Sequence, residues 1–174
     1  MIKLYELDDA LHYVGKEIGL SNWVDVTQRR ISAFGEITLD PDRMHIDPQW
    51  AAEHSPFGKT FAFGFLTVSL LTCMVNEVVA RPADELTTFN YGFDRLRMLS
   101  PVLVDNRIRG RFVLKDLRLR SPTQFRVVYA VTVEIEGQAK PALVADWLSL
   151  TNVAQARRPL RAMDVGAAAP QPAA

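Results

Sequence analysis

The stretch "FAFGFLTVSLLTCMV", residues 61–75, decides how this chain folds. Its apolar residues fall on nearly every face of a helical wheel, yet it carries Thr67, Ser69 and Thr72 and is shorter than the ~20 residues that span a bilayer. Extended to about residues 62–80, it reads as a helix wrapped by other structure. After "RPADE" the texture changes to period two, in "TTFNYGFDRLRML", "NRIRGRFVLKDLRLR", "TQFRVVYAVTVEIEG" and "KPALVADWLSLTN". The turn-forming segments "SPVLVDN", "RSPT" and "EGQAKP" separate these runs, which predicts four antiparallel strands in a meander. In the second run Ile108, Phe112 and Leu114 share one parity and Leu117 and Leu119 the other, so a bulge is expected near Lys115 and Asp116.

A long apolar helix and long antiparallel strands are reconciled most economically when the sheet curls around the helix. That is an α+β arrangement, the hot-dog fold. One curled sheet leaves edge strands and part of the helix uncovered, so pairing of two copies is expected.

Working upstream, Leu7, Ala10, Leu11, Val14 and Ile18 have helical spacing, which predicts a short helix over residues 6–18 ending at Gly19. "NWVDVT" alternates like a strand. Thr27 suits the N-cap of a second helix with Ile31, Phe34 and Ile37 on its buried stripe. Pro41 excludes Asp40 from helical geometry, so that helix stops near Leu39. Residues 41–60 read as loop with one helical turn at "QWAAEH". One domain over residues 1–153 is expected, followed by a flexible tail over 154–174 rich in Ala and Pro.

Composition narrows the function classes. Lys plus Arg and Asp plus Glu are equal at 20 each, so no global field draws the chain to nucleic acid or to an anionic membrane. A single Cys73 leaves no intrachain disulfide framework. The acidic N-terminal segment does not resemble a secretion signal, and a reducing, cytoplasmic location is expected. His12, His45 and His54 lie in separate segments without metal-ligand spacing, and no glycine-rich phosphate loop occurs, so neither a metal nor a cofactor is expected.

Two segments carry chemistry. Asp40 and His45 stand five residues apart on a loop stiffened by Pro41 and Pro48. A carboxylate and an imidazole in one loop can grip a water for acid-base work, though such pairs are more often solvated neighbours. The first turn of the apolar helix contains Gly64, whose N–H sits at the positive end of the helix dipole with no side chain in front of it, a setting for a developing oxyanion. The plain alternative is that Gly64 permits close packing. Arg107, Arg109 and Arg111 share a strand face, which reads first as a solvated face and second as a local contact for an anionic ligand. Phe93, Leu96 and Trp147 read as core, and Tyr91 is placed to reach a pocket.

The spacing Asp40, "PDRM", His45, "IDPQW", Ala51 resembles the hydratase motif of the MaoC-like dehydratases, a family that includes (R)-specific enoyl-CoA hydratases and nodulation protein N-like members. The resemblance continues through "SPFG", "GFLTVSLL", "NYGFDRLRMLSPV" and "KPALVADWLSL", covering most of residues 10–153. It implies a hot-dog homodimer, or a dimer of dimers, acting on acyl thioesters of coenzyme A or an acyl carrier protein. It further implies Asp40 and His45 as the catalytic pair, Gly64 as the backbone donor to the thioester oxygen, and Thr72 as a supporting helix hydroxyl. Two positions depart from the family pattern. Leu39 stands where Gly commonly precedes the Asp, and Phe63 stands where His commonly precedes the Gly. They motivate two other readings, a non-catalytic acyl-thioester-binding protein and an altered substrate preference. A hot-dog thioesterase is the enzymatic rival.

Overall fold

The computed structural model describes residues 1–4 and 10–157. The first departure from the sequence reading comes at once: residues 10–13 form a single 3-10 turn, and Glu17–Leu20 is a strand, β1, rather than the end of a helix. Gly15 lies at φ 82°, a conformation that stops a helix and that glycine adopts without Cβ strain. Its N–H bonds Leu114 O at 2.7 Å, which lays β1 along an edge of the main sheet and satisfies backbone groups there. The Leu7 end of the expected helix lies outside the described residues.

The short strand Val24–Asp25 (β2) matches the "NWVDVT" alternation and also pairs with the main sheet. Helix α1, Gln28–Thr38, starts where expected, with the Thr27 hydroxyl accepting from the Arg30 N–H. Ile31 is buried and Phe34 packs against the core, but Ile37 is 81% exposed. Two short helices follow, α2 (Arg43–Ile46) and α3 (Pro48–His54), so the predicted loop holds one helical turn more than its sequence suggested.

The apolar run becomes α4 (Gly64–Ser69) and α5 (Leu71–Val78), continuous except for a break at Leu70. The Ser69 hydroxyl bonds Phe65 O at 2.8 Å, the kind of back-bond that bends helices. Leu66, Thr67, Leu71, Met74 and Val78 form the buried stripe, whereas Phe65, Thr72, Cys73, Asn76 and Glu77 are exposed. The helix is therefore covered on one side only in the single chain.

The covering surface is an open antiparallel sheet built from β3 (Glu85–Met98), β4 (Arg107–Ser121), β5 (Gln124–Ile135) and β6 (Leu143–Val153) with β1 and β2. Its order is β1-β4-β5-β6-β3, with β2 also on β4. Only β4, β5 and β6 form the expected meander; β3 crosses to the far edge and pairs with β6. Strand alternation alone carries no signal for that crossover. The bulge is present as a register shift between Leu114 and Asp116. Leu114, Tyr129, Trp147 and Phe93 are cross-strand neighbours in one row, and Phe93 and Trp147 stack with ring centroids 5.9 Å apart. This is the hot-dog arrangement, a curled sheet against a central helix.

No helix among the described residues is long and apolar enough to cross a membrane. At the expected start of the tail, Asp84 accepts from Gln155 N–H at 2.9 Å and pairs with Arg157 at 2.6 Å. Residues 158–174 lie outside the described residues.

Candidate active site

Where α1 ends decides where Asp40 stands. The Leu39 N–H bonds Glu36 O at 3.2 Å and the Asp40 N–H bonds Gly35 O at 2.9 Å, with Leu39 in the left-handed region at φ 58°. This is a Schellman closure, whose left-handed position glycine usually fills. Leu39 fills it here, with its side chain turned to solvent and 88% of the residue exposed. Pro41 forbids a further helical turn, and Asp40 leaves the helix end exposed.

The loop then turns back inward through two aspartate caps. Asp42 accepts from Met44 N–H at 2.9 Å and begins α2; Asp47 accepts from Trp50 N–H at 2.9 Å and begins α3. The Trp50 N–H, together with Arg43 at 2.9 Å, holds the Asp47 carboxyl below its usual range. With α2 anchored at both ends, His45 is half-buried. Its Nδ1 lies 2.7 Å from Phe61 O, and a carbonyl oxygen only accepts, so Nδ1 carries a proton and, in the neutral imidazole, Nε2 is the nitrogen with the lone pair. The imidazole meets the edge of Phe61 at 4.6 Å between centroids and lies over Phe63 at 4.0 Å.

The Phe61 carbonyl is itself held in place. Ala62 N–H bonds Val102 O at 2.8 Å and Val104 N–H bonds Thr60 O at 3.0 Å, so residues 60–62 form a short antiparallel bridge with the β3–β4 connection. Gln28 ties the assembly together: its Nε2 donates to His45 O at 2.8 Å, and its Oε1 accepts from the buried Thr60 hydroxyl. Gln28, Thr60 and Phe61 were invisible as site residues in the sequence, because one is a polar residue in a first helical turn and the contribution of another is a backbone carbonyl. A Cβ at Gly35 would lie 3.1 Å from Phe63 Cζ and 3.0 Å from Asp40 O, so that glycine permits the close approach of α1 to this cluster.

Phe63 is buried and is the residue before α4, whose first turn has no side-chain cap. The uncapped N–H groups at Gly64 thus begin directly beyond the His45–Phe63 contact. The Met98 thioether occupies the space beside Gly64, where a Cβ would fall 2.1 Å from its sulfur.

The remaining candidates stand apart. No hydrogen bond or ion pair joins Asp40 to His45. Thr72 is exposed on α5, about 12 Å along the helix from Gly64 at 1.5 Å per residue, and lines a separate cleft. Tyr91 is 57% exposed on β3, with the Arg120 guanidinium 6.0 Å above its ring. Arg109 pairs with Glu134 at 2.7 Å and lies over the Trp23 ring at 4.4 Å. The adjacent Gly110 faces Met74 of α5, so Arg109 lies on the side of the sheet away from the helix. Burial would raise the Glu134 carboxyl, but Arg109 and Arg111 outweigh it and hold the group below its usual range.

Comparison with known proteins bears on the family and the fold. Residues 9–136 match the family model described as MaoC like domain. The chain is 42% identical over 153 residues to nodulation protein N of Rhizobium meliloti, covering 88% of this chain and 95% of that protein. It is 36% identical over 138 residues to 3-hydroxyacyl-thioester dehydratase Z of Mycobacterium tuberculosis, covering 79% of this chain and 90% of the relative. Among solved structures, the unliganded R-hydratase PhaJ1 of Pseudomonas aeruginosa superposes with a TM-score of 0.64 at 19% identity, over 98% of this chain and 97% of that one, a likeness of fold. The chain belongs to the MaoC-like domain family.

Proposed function

We propose that this protein adds water to 2-enoyl thioesters of coenzyme A or an acyl carrier protein, and removes it from (R)-3-hydroxyacyl thioesters. The observation that carries this reading is the His45–Phe61 hydrogen bond, which leaves Nε2 as a proton acceptor. In hydration, Asp40 and His45 hold a water; His45 Nε2 takes its proton as the oxygen bonds to C3. The C2=C3 electron pair moves toward the thioester carbonyl, whose developing charge is received by the Gly64 N–H. A proton then returns from the pair to C2. Dehydration is the reverse. Donors of this kind contribute about 3 to 4 kcal/mol when aimed at an oxyanion. The relative named 3-hydroxyacyl-thioester dehydratase Z supports this substrate class.

Loss of enoyl absorbance from crotonyl-CoA tests the reaction. Turnover falling by about 10²- to 10⁴-fold in both Asp40→Asn and His45→Gln supports it. Hydrolysis of the thioester instead would identify a thioesterase. A second reading is favoured by one observation, the absence of any bond between Asp40 and His45: a protein that binds acyl thioesters without turning them over. Tight binding of several chain lengths with no hydration by the wild type establishes it.

A further inference from the structure

Helix α2 is four residues long, Arg43–Ile46, and carries His45 in its last turn. A helix that short is not stable on its own hydrogen bonds, and the carbonyls of its last turn have no partner within it. The His45 carbonyl is one of these. Its partner is the Gln28 side chain of α1, seventeen residues away, whose Nε2 donates to it at 2.8 Å.

The Gln28 amide has only one way to sit. A carbonyl oxygen only accepts, so the amide nitrogen faces His45; the amide oxygen then faces Thr60, whose hydroxyl donates to it. The second Nε2 hydrogen reaches Ser32 Oγ at 3.1 Å. Thr60 is buried, so water does not compete for its hydroxyl. Thr60 also adjoins Phe61, whose carbonyl accepts from the imidazole Nδ1–H at 2.7 Å. The histidine is thus held twice, at its backbone by Gln28 and at its ring by Phe61, and one amide spans the two chain segments that make those contacts. Both amide hydrogens and the amide oxygen are engaged in this clamp, so Gln28 acts on the chemistry only through His45.

We propose that Gln28 is a positioning residue: it holds α2 and residues 60–62 at the separation that lets Phe61 accept from Nδ1, and so keeps the neutral imidazole in the form whose Nε2 can take a proton. In a neutral imidazole either nitrogen can carry the hydrogen, so loosening the clamp releases that choice.

Nitrogen-15 NMR of the ring, recorded above the imidazole titration, reads the tautomer without turnover. In the wild type Nδ1 of His45 is expected to carry the hydrogen. In Gln28→Met, which keeps volume but has no donor, part of the population shifts to Nε2–H. Gln28→Glu sets an acceptor against the His45 carbonyl, shifts the population the same way, and carries the test where Gln28→Met does not fold. In either variant kcat for crotonyl-CoA hydration falls about 10- to 100-fold while KM changes less than about threefold. Gln28→Met and Thr60→Val break one link, so the double variant loses no more than the larger single loss; fully additive losses overturn the proposal. A wild-type tautomer in both variants overturns it, and so does a wild-type kcat in both, since Gln28 would then serve packing alone. The kinetic arm rests on the hydratase reading above and the tautomer arm does not. A wild type that leaves crotonyl-CoA unchanged, with a His45 tautomer that still shifts in Gln28→Met, defeats that reading and upholds the positioning role.

Discussion

The imidazole of His45 lies over the ring of Phe63, with centroids 4.0 Å apart and planes inclined by 38°. Phe63 is in turn tilted against Phe34 of α1 at 5.5 Å, so one buried aromatic couples the histidine loop, the first helix and the start of the central helix. A phenyl ring offers no hydrogen bond; it fixes orientation by contact area. Phe63→Ala is expected to destabilise the fold by about 3 to 5 kcal/mol, measured by urea denaturation. Phe63→Leu keeps apolar volume and the fold but loses the ring contact, and its kcat for crotonyl-CoA hydration should fall at least tenfold with a smaller change in KM. An unchanged kcat would show that Phe61 and Gln28 alone position His45.

Leu39 at φ 58° occupies a conformation that costs an L side chain about 1 to 2 kcal/mol, and its side chain is solvent-exposed, so little packing offsets the cost. Leu39→Gly relieves that strain while adding chain freedom to the unfolded state. The expected net effect is stabilisation of about 0.5 to 1 kcal/mol, visible as a rise of a few degrees in Tm. A lower Tm would mean that Leu39 is covered by a second copy or by substrate.

Acid stability follows from three carboxyls held below their usual values. Asp47 is lowered by the Trp50 N–H and Arg43, Asp84 by Arg157 and the Gln155 N–H, and Glu134 by Arg109 and Arg111 against the opposing effect of burial. A depressed folded-state value means that the stabilisation is complete above the unfolded value and is lost as pH falls toward the folded one. Tm should therefore hold steady above the ordinary values of 3.8 and 4.5 for these groups, then decline through and below that range. Arg157→Ala should flatten part of the decline, because Asp84 then loses its first partner. Thermal scans between neutral pH and about 3 check both.

The β3 edge carries exposed Leu86, Phe89, Tyr91 and Met98, at 66%, 55%, 57% and 48%. An uncovered apolar edge strand is a site for strand pairing. Two copies joined along β3 would cover this edge and the open side of α5. Light scattering should give twice the chain mass for the wild type, and Phe89→Glu should reduce it. A wild-type monomer at micromolar concentration overturns the expectation.

Much of this was legible in residue order, because local rules act over a few positions. Thr27 as a cap, the helix end before Pro41, the strand runs and the bulge beside Asp116 all follow from backbone sterics and side-chain period. The family likeness rested on the spacing of Asp40 and His45 together with matching segments over most of residues 10–153, properties of the chain itself, and the comparisons agree with it. Pairing across long separations was not legible. Strand period is the same whichever neighbour a strand chooses, so the move of β3 beside β6 had no local signature. Nor did Gly15 announce that it turns the chain into β1 against β4. The orientation of His45 likewise depends on a carbonyl sixteen residues away and on Gln28 from another helix. The sequence by itself determined which residues could do chemistry and what backbone each allows. Only the tertiary structure decided their partners, because hydrogen bonds and ring contacts require atoms to meet within a few ångströms, and chain order does not encode that proximity.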